Sequence, residues 1–449
     1  MEQVKIQQGT KGGFLKGAAW IAAGGFIAKI IGALYRIPLT NLIGGYGLGL
    51  YQLVYPVYCL LLTVSATGIP SSIAKLTAER VGKGQSTMPL LKTAMKTFVI
   101  IGVVGSVLMG ILAPFLAKAQ GSEAVLGGYY ALAPSVALVS VISVFRGWFQ
   151  GKNNMVPTAL SEIAEQIVKV GFGLLFASLF RADVEKAVIF LLLAVTLSEL
   201  FTLFLMLAIF HRVPAPVLLG NEGGRVGVKT ILKMSIPVTL NSLLIPLSSL
   251  LDSVLAPRLL SAYAENAVTL YGLFSGGAVT VIGLPVSVCY GIAAASIPAV
   301  AQASVRENAS PKKRMWYALF ITAFIALPSA FGLYFLAEPA AKIIYRSLSA
   351  NELSTLTKLI QVFAMSAFTL SCTQTLAACL TARGKPQLAA LNMLIAVTVK
   401  TLVYSFLLRS PQISVFGLAY ATNLGYLVAF LLNLLYNLVI KNKRKKVTA

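Results

Sequence analysis

Glu162, Glu165 and Lys169 set two acids and a base along one apolar stretch, within the segment VFRGWFQGKNNMVPTALSEIAEQIVK (144 to 169). At i, i+3 and i+7 the three share one face of a helix. Glu165 and Lys169 stand in the favourable i, i+4 order and can satisfy each other, which leaves Glu162 for another helix. A charged face in an apolar helix needs a partner helix or a water-filled cavity. Arg146 closes the preceding apolar segment, and the chain turns through Gly151 and Pro157. The pattern predicts a gate or coupling site in a membrane transporter, formed by Arg146, Glu162, Glu165 and Lys169, with Lys96 as a further basic partner.

The other ionisable groups within apolar segments are Lys29, Glu199, Asp252 and Lys400, with Arg36 near a segment end. Lys29 and Arg36 lie seven apart on one helix face. Cationic donors in a semi-dry cavity suit an anionic headgroup such as a pyrophosphate; the plainer alternative is that Arg36 snorkels to the interface while Lys29 makes a structural pair. Asp252, between Pro246 and Pro257, is expected to pair with Lys29 or another base, or to bind a coupling proton or sodium ion. Lys29, Arg36 and Asp252 are thus the candidate substrate-binding residues. Glu199 and Lys400, each alone in its segment, are expected to partner each other or these groups as coupling residues.

Nothing points to an enzyme. His211 is the only histidine, and GxSxG and Walker-type strings are absent. Cys372 and Cys379 share a helix face without histidine or carboxylate neighbours, so they read as small apolar packing residues rather than metal ligands. No cofactor is expected beyond a coupling H+ or Na+.

The elements that hold these residues follow from composition. Of 449 residues, 57% are hydrophobic and 11% charged, and the mean hydropathy is +0.82. Apolar runs of about 20 residues or more, the length of a membrane-crossing helix, recur from end to end. A soluble domain is excluded, and the runs are too long and continuous for barrel strands. The fold class is an all-α polytopic membrane protein of about twelve spans: 14 to 36, 50 to 74, 92 to 117, 126 to 149, 158 to 180, 187 to 210, 231 to 256, 268 to 300, 315 to 337, 354 to 380, 387 to 408 and 415 to 440. The first is a retained helix rather than a signal peptide. Glycines and prolines in 268 to 300 predict a bend or break there.

With the N-terminus in the cytoplasm, the inner loops and tails collect 24 of the 37 Lys and Arg residues and the outer ones nine. Both termini are therefore expected inside a cytoplasmic membrane. The net charge of +23 serves topology and contact with anionic lipid rather than nucleic acid, since it is spread over short segments with no module to hold it. A weak repeat pairs Gly68-Ile69-Pro70 with Ser296-Ile297-Pro298, and Gly151-Lys152 with Gly384-Lys385, at roughly 230 residues. It predicts two six-helix lobes, 1–211 and 230–449 with a basic tail, joined by a cytoplasmic linker, 212–229, rich in Pro and Gly. The chain is expected to act as a monomer.

GGYGLGLYQLVYPVY (44 to 58), ATGIPSSIAKLTAE (66 to 79), FRGWFQGKNNMVPTALSEIAEQIVK (145 to 169), SIPVTLNSLLIPLSSLLDSVLAPRLL (235 to 260) and ASIPAVAQ (295 to 302) resemble the stage V sporulation protein B branch of the multidrug/oligosaccharidyl-lipid/polysaccharide (MOP) exporter superfamily. The resemblance implies a two-lobed flippase that moves a polyprenyl-pyrophosphate-linked saccharide, a peptidoglycan or polysaccharide precursor, by alternating access. The alternative within the superfamily is a MATE-like, ion-coupled exporter of an organic cation or metabolite. Two departures stand out. Many members of this branch have fourteen helices against about twelve here, and Gly44 to Leu62 lacks the acidic residue and the arginine that lipid II flippases carry in that region.

Overall fold

The computed structural model describes residues 11–212, 227–305 and 310–439. Most of the 212–229 linker, the basic C-terminal tail and the Lys29 side chain lie outside the described residues. Among the described residues every regular element is helical. Helix α1 (Lys11–Leu62) runs through a π-helical turn (Thr63–Thr67) into α2 (Ile69–Gly82), followed by α3 (Met88–Ala119), α4 (Leu126–Gly151), α5 (Val156–Leu179) and α6 (Val184–Arg212). The second half comprises α7 (Val228–Ser242), α8 (Leu244–Leu260), α9 (Ala267–Gly272), α10 (Val279–Val305), α11 (Pro311–Phe335), α12 (Ala337–Ile344), α13 (Ala350–Phe363), α14 (Met365–Ala382), α15 (Pro386–Leu407) and α16 (Phe416–Val439).

Eight of these helical stretches are long and apolar enough to cross a membrane, and the pair α13 and α14, bent by 43°, makes a ninth. The three remaining expected spans differ for physical reasons. The first and second are two helices that meet end to end at a kink at Gly44, whose backbone is not helical (φ 67). On either side of Gly44 the residues expected to form a loop are helical: Leu39, Ile43 and Leu48 are buried, and a longer buried loop would strand its backbone polar groups. The fifth carries three charges. The seventh is divided at Leu243 into α7, of 15 residues, and α8, of 17. The irregularity expected in 268 to 300 is a π-helical turn at Leu273–Ala278, beyond which α10 continues unbroken through Pro285. The fold is thus the expected all-α polytopic one.

The chain divides into two compact units: Met1–Leu42, Val54–Lys118 and Glu123–Pro246 form one, and Ile43–Leu53, Ala119–Ser122 and Leu247–Ala449 the other. In the first, Ile73, Leu90, Phe98, Phe145, Trp148 and Ile231 share a core. That core ties α7 to the helices before the linker. In the second, Val300, Met315, Leu319 and Leu376 pack with Cys372 and Cys379, so both cysteines serve as small core residues.

Within the first unit, α4 lies tight on α2. A Cβ on Gly147 would stand 2.7 Å from the Pro70 carbonyl oxygen, and one on Gly151 would stand 2.5 Å from that of Ala74. The glycines of the RGWFQG string are what let it meet the GIPSSIAKLT string.

The turns that end α4 and α14 are built alike. Lys152 N donates to Trp148 O at 3.2 Å and Asn154 N to Phe149 O at 3.0 Å; Arg383 N donates to Cys379 O at 3.1 Å and Lys385 N to Leu380 O at 3.0 Å. Asn153 (φ 62) and Gly384 (φ 74) supply the left-handed residue. Asn153 and Gly384 are therefore the equivalent positions, an offset of 231 residues, rather than Gly151 and Gly384. String matching misses this because Asn as well as Gly fits the left-handed position. The same offset carries Lys169 onto Lys400.

Candidate functional site

In the first unit, Arg146 on α4 points at α5. Its Nη2 donates to Glu165 Oε2 at 3.0 Å and its Nε to Ser161 Oγ at 2.9 Å. The two side chains are only 13% and 16% exposed, so Arg146 is an internal ion-pair partner rather than a loop charge. Ser161 in turn donates to Thr158 O at 2.8 Å, and Gln166 Nε2 donates to Glu165 Oε1 at 3.3 Å. Both Glu165 oxygens are thereby engaged, Oε2 across the hairpin by Arg146 and Oε1 by the next residue of α5. The expected Glu165–Lys169 pair does not form. An exposed i, i+4 pair contributes about 0.3–0.5 kcal/mol, less than a charge-assisted bond to a buried guanidinium.

Lys169 makes no ion pair among the described residues. It lies within the electrostatic field of Glu165, Glu199 and Arg36, and Cys59 on α1 senses both Arg36 and Lys169. Glu199 on α6 is 4% exposed, and its Oε2 has no hydrogen-bond partner among the described residues. The charges around it are Glu165, Arg146 and Lys169. Buried Tyr58 faces the same two carboxylates, Glu165 and Glu199, and Glu162 acts on Arg146. Five of the sequence-predicted residues, Arg36, Arg146, Glu165, Lys169 and Glu199, are thus neighbours in one cluster, with Glu162 at its edge. Lys96 is exposed on α3 and forms no pair with these carboxylates.

At the end of α4 the Lys152 ammonium sits 3.8 Å over the Trp148 ring, and Trp148 Nε1 donates to Thr87 Oγ1 at 3.1 Å. Partial burial there holds the Lys152 ammonium below the usual lysine range.

The second unit has a separate charged centre. Asp252 on α8 pairs with Lys400 on α15, and Lys400 Nζ also donates to Ser248 Oγ at 3.0 Å. Both residues are buried. The Tyr404 hydroxyl stands beside Asp252, yet neither Tyr404 Oη nor Asp252 Oδ1 has hydrogen-bond geometry. Asp252 is thus paired with Lys400 and not with Lys29, and Lys400 with Asp252 and not with Glu199. Sequence reasoning missed Ser161, Gln166, Tyr58, Ser248 and Tyr404. Only their spacing from the charges, a helical turn or less in four cases, hinted at them.

A model of a family described as "Polysaccharide biosynthesis protein" matches residues 14–304. Stage V sporulation protein B of Bacillus subtilis (strain 168) is 25% identical over 433 residues, covering 94% of this chain and 82% of that protein. The lipid II flippase MurJ of the same organism is 24% identical, covering 93% of this chain and 81% of that protein. Among solved structures, the inward-facing conformation of a multidrug resistance MATE family transporter of the MOP superfamily aligns with a TM-score of 0.73 at 16% identity, over 90% of this chain and 97% of that one.

Proposed function

Because the chain belongs to the polysaccharide biosynthesis protein family and is a membrane transporter of the MOP superfamily rather than an enzyme, we propose that it is a flippase for a polyprenyl-pyrophosphate-linked saccharide. The observation that carries this reading is the cationic side of the first unit's cluster: among the described residues Lys169 makes no ion pair, and it lies in the field of Arg36 as well as of Glu165 and Glu199. Neighbouring cations at low dielectric attract an anion that enters beside them. A pyrophosphate headgroup supplies that anion and accepts charge-assisted hydrogen bonds. Lys29 stands on the same helix as Arg36 and adds to the site in this reading, while Asp252 with Lys400 is a second centre that neutralises itself. The gate consists of Arg146, Glu162, Glu165 and Lys169. The protein works as a monomer in the cytoplasmic membrane, with both termini and the 212–229 linker on the cytoplasmic side.

The test is binding in detergent of a polyprenyl pyrophosphate, of a neutral polyprenol and of a lipophilic organic cation. Arg36→Gln or Lys169→Gln should weaken the pyrophosphate lipid about tenfold, the worth of one charge-assisted hydrogen bond, and leave the polyprenol unchanged. Equal loss for both lipids would make these residues structural. Tight binding of the organic cation instead would favour the ion-coupled exporter, the second reading, which rests on the carboxylate of Glu199.

A further inference from the structure

We infer that Glu199 is a proton-binding site, and that its proton decides whether Lys169 is free to hold an anionic headgroup. The inference rests on the transporter reading above and adds to it the partner exchange of the charges. Glu199 is 4% exposed on α6 with Oε2 unpartnered, and α4 and α5 pack against that helix. The titratable and charged groups that act on it are Arg146 from α4, Glu165 and Lys169 from α5 and Tyr58 from α1; Glu162 reaches Arg146, and Arg36 and Cys59 reach Lys169, one step further out.

Arg146 spends Nε on Ser161 and Nη2 on Glu165, and Gln166 takes the other Glu165 oxygen. Among the described residues no donor in this arrangement reaches Glu199 Oε2. A carboxylate out of water and without a donor is strongly disfavoured, and a proton removes the charge. A metal ion would need several oxygen ligands, whereas two of the nearest charged groups, Arg146 and Lys169, are themselves cations.

The cluster has a second fully paired arrangement. When the Glu199 carboxyl gives its proton to water, the resulting carboxylate takes Arg146 from Glu165. Glu165 then turns to Lys169, one helical turn along α5 in the favourable order. Uptake of a proton from water reverses both exchanges and releases Lys169. Proton binding and headgroup binding therefore favour the same state, and by linkage each strengthens the other.

Two measurements test this. The first is infrared spectroscopy of the purified protein over a pH series. A protonated-carboxyl stretch that titrates in wild type should vanish in Glu199→Gln and shift in frequency in Glu199→Asp, the variant to use if the amide does not fold. An identical band in wild type and whichever variant folds would overturn the proposal. The second is calorimetric binding of a polyprenyl pyrophosphate in two buffers of different ionisation enthalpy. At a pH above the titration of the infrared band, where the unliganded site has lost its proton, wild type should take up about one proton per lipid bound, and Glu199→Gln should bind without uptake. Binding by wild type at that pH with no proton uptake would also overturn it. Absence of wild-type binding would sink the flippase reading instead, and the infrared band would still decide the proton site.

Discussion

Lys400 and Asp252 show how differently one substitution and two can act at a buried pair. Lys400→Met leaves Asp252 in the core with one oxygen already unpartnered, and breaking a buried pair in this way costs roughly 3–5 kcal/mol. Lys400→Met with Asp252→Leu removes both charges and should restore most of that stability. Thermal unfolding midpoints in detergent check the prediction; a double variant no more stable than the single one would contradict it. The identities of the charged residues were legible because charge in an apolar run is rare. Their partners were not. Partner choice depends on how each helix is rotated against its neighbour, so Glu165 passed over Lys169 on its own helix for Arg146 across the hairpin.

Helix ends and bends were read less well than helix existence. Hydrophobic length located nearly every span, whereas the shortening of the break between the first two to a kink at Gly44 came from burial of Leu39, Ile43 and Leu48 in what looked like a glycine-rich loop. The equivalent turns at Asn153 and Gly384 yield a sharper test. Both occupy the left-handed region, which an ordinary L-residue enters at a cost of about 1–2 kcal/mol and Asn or Gly more easily. Asn153→Gly should be neutral within about 0.5 kcal/mol, while Gly384→Val should lower stability by about 1–2 kcal/mol or more. Open space around the Gly384 Cβ position means that steric overlap does not account for the loss. Equal effects of the two substitutions on the unfolding midpoint would show that the turns are not equivalent.

For the molecule as a whole, the sequence makes a claim about sidedness that fold alone does not carry. The turns that end α2, α4 and α14 share one design: Gly84, Asn153 and Gly384 are left-handed, and Gln85, Asn154 and Lys385 each donate backward to the residue five positions earlier. Their basic residues, Lys83, Lys152, Arg383 and Lys385, fall in segments expected inside by the charge bias. Glu123 and Asn351 are exposed in segments expected outside. In a background with Cys59→Ser, where the remaining cysteines are buried, an impermeant thiol reagent applied to intact cells should label Glu123→Cys and Asn351→Cys. Lys83→Cys and Lys385→Cys should react only after the membrane is opened. Labelling of Lys83→Cys and Lys385→Cys from outside, with Glu123→Cys protected, would invert the orientation. Such a result would leave every ion pair described above unchanged, because the charge bias of the loops and the pairing of buried charges are independent of each other.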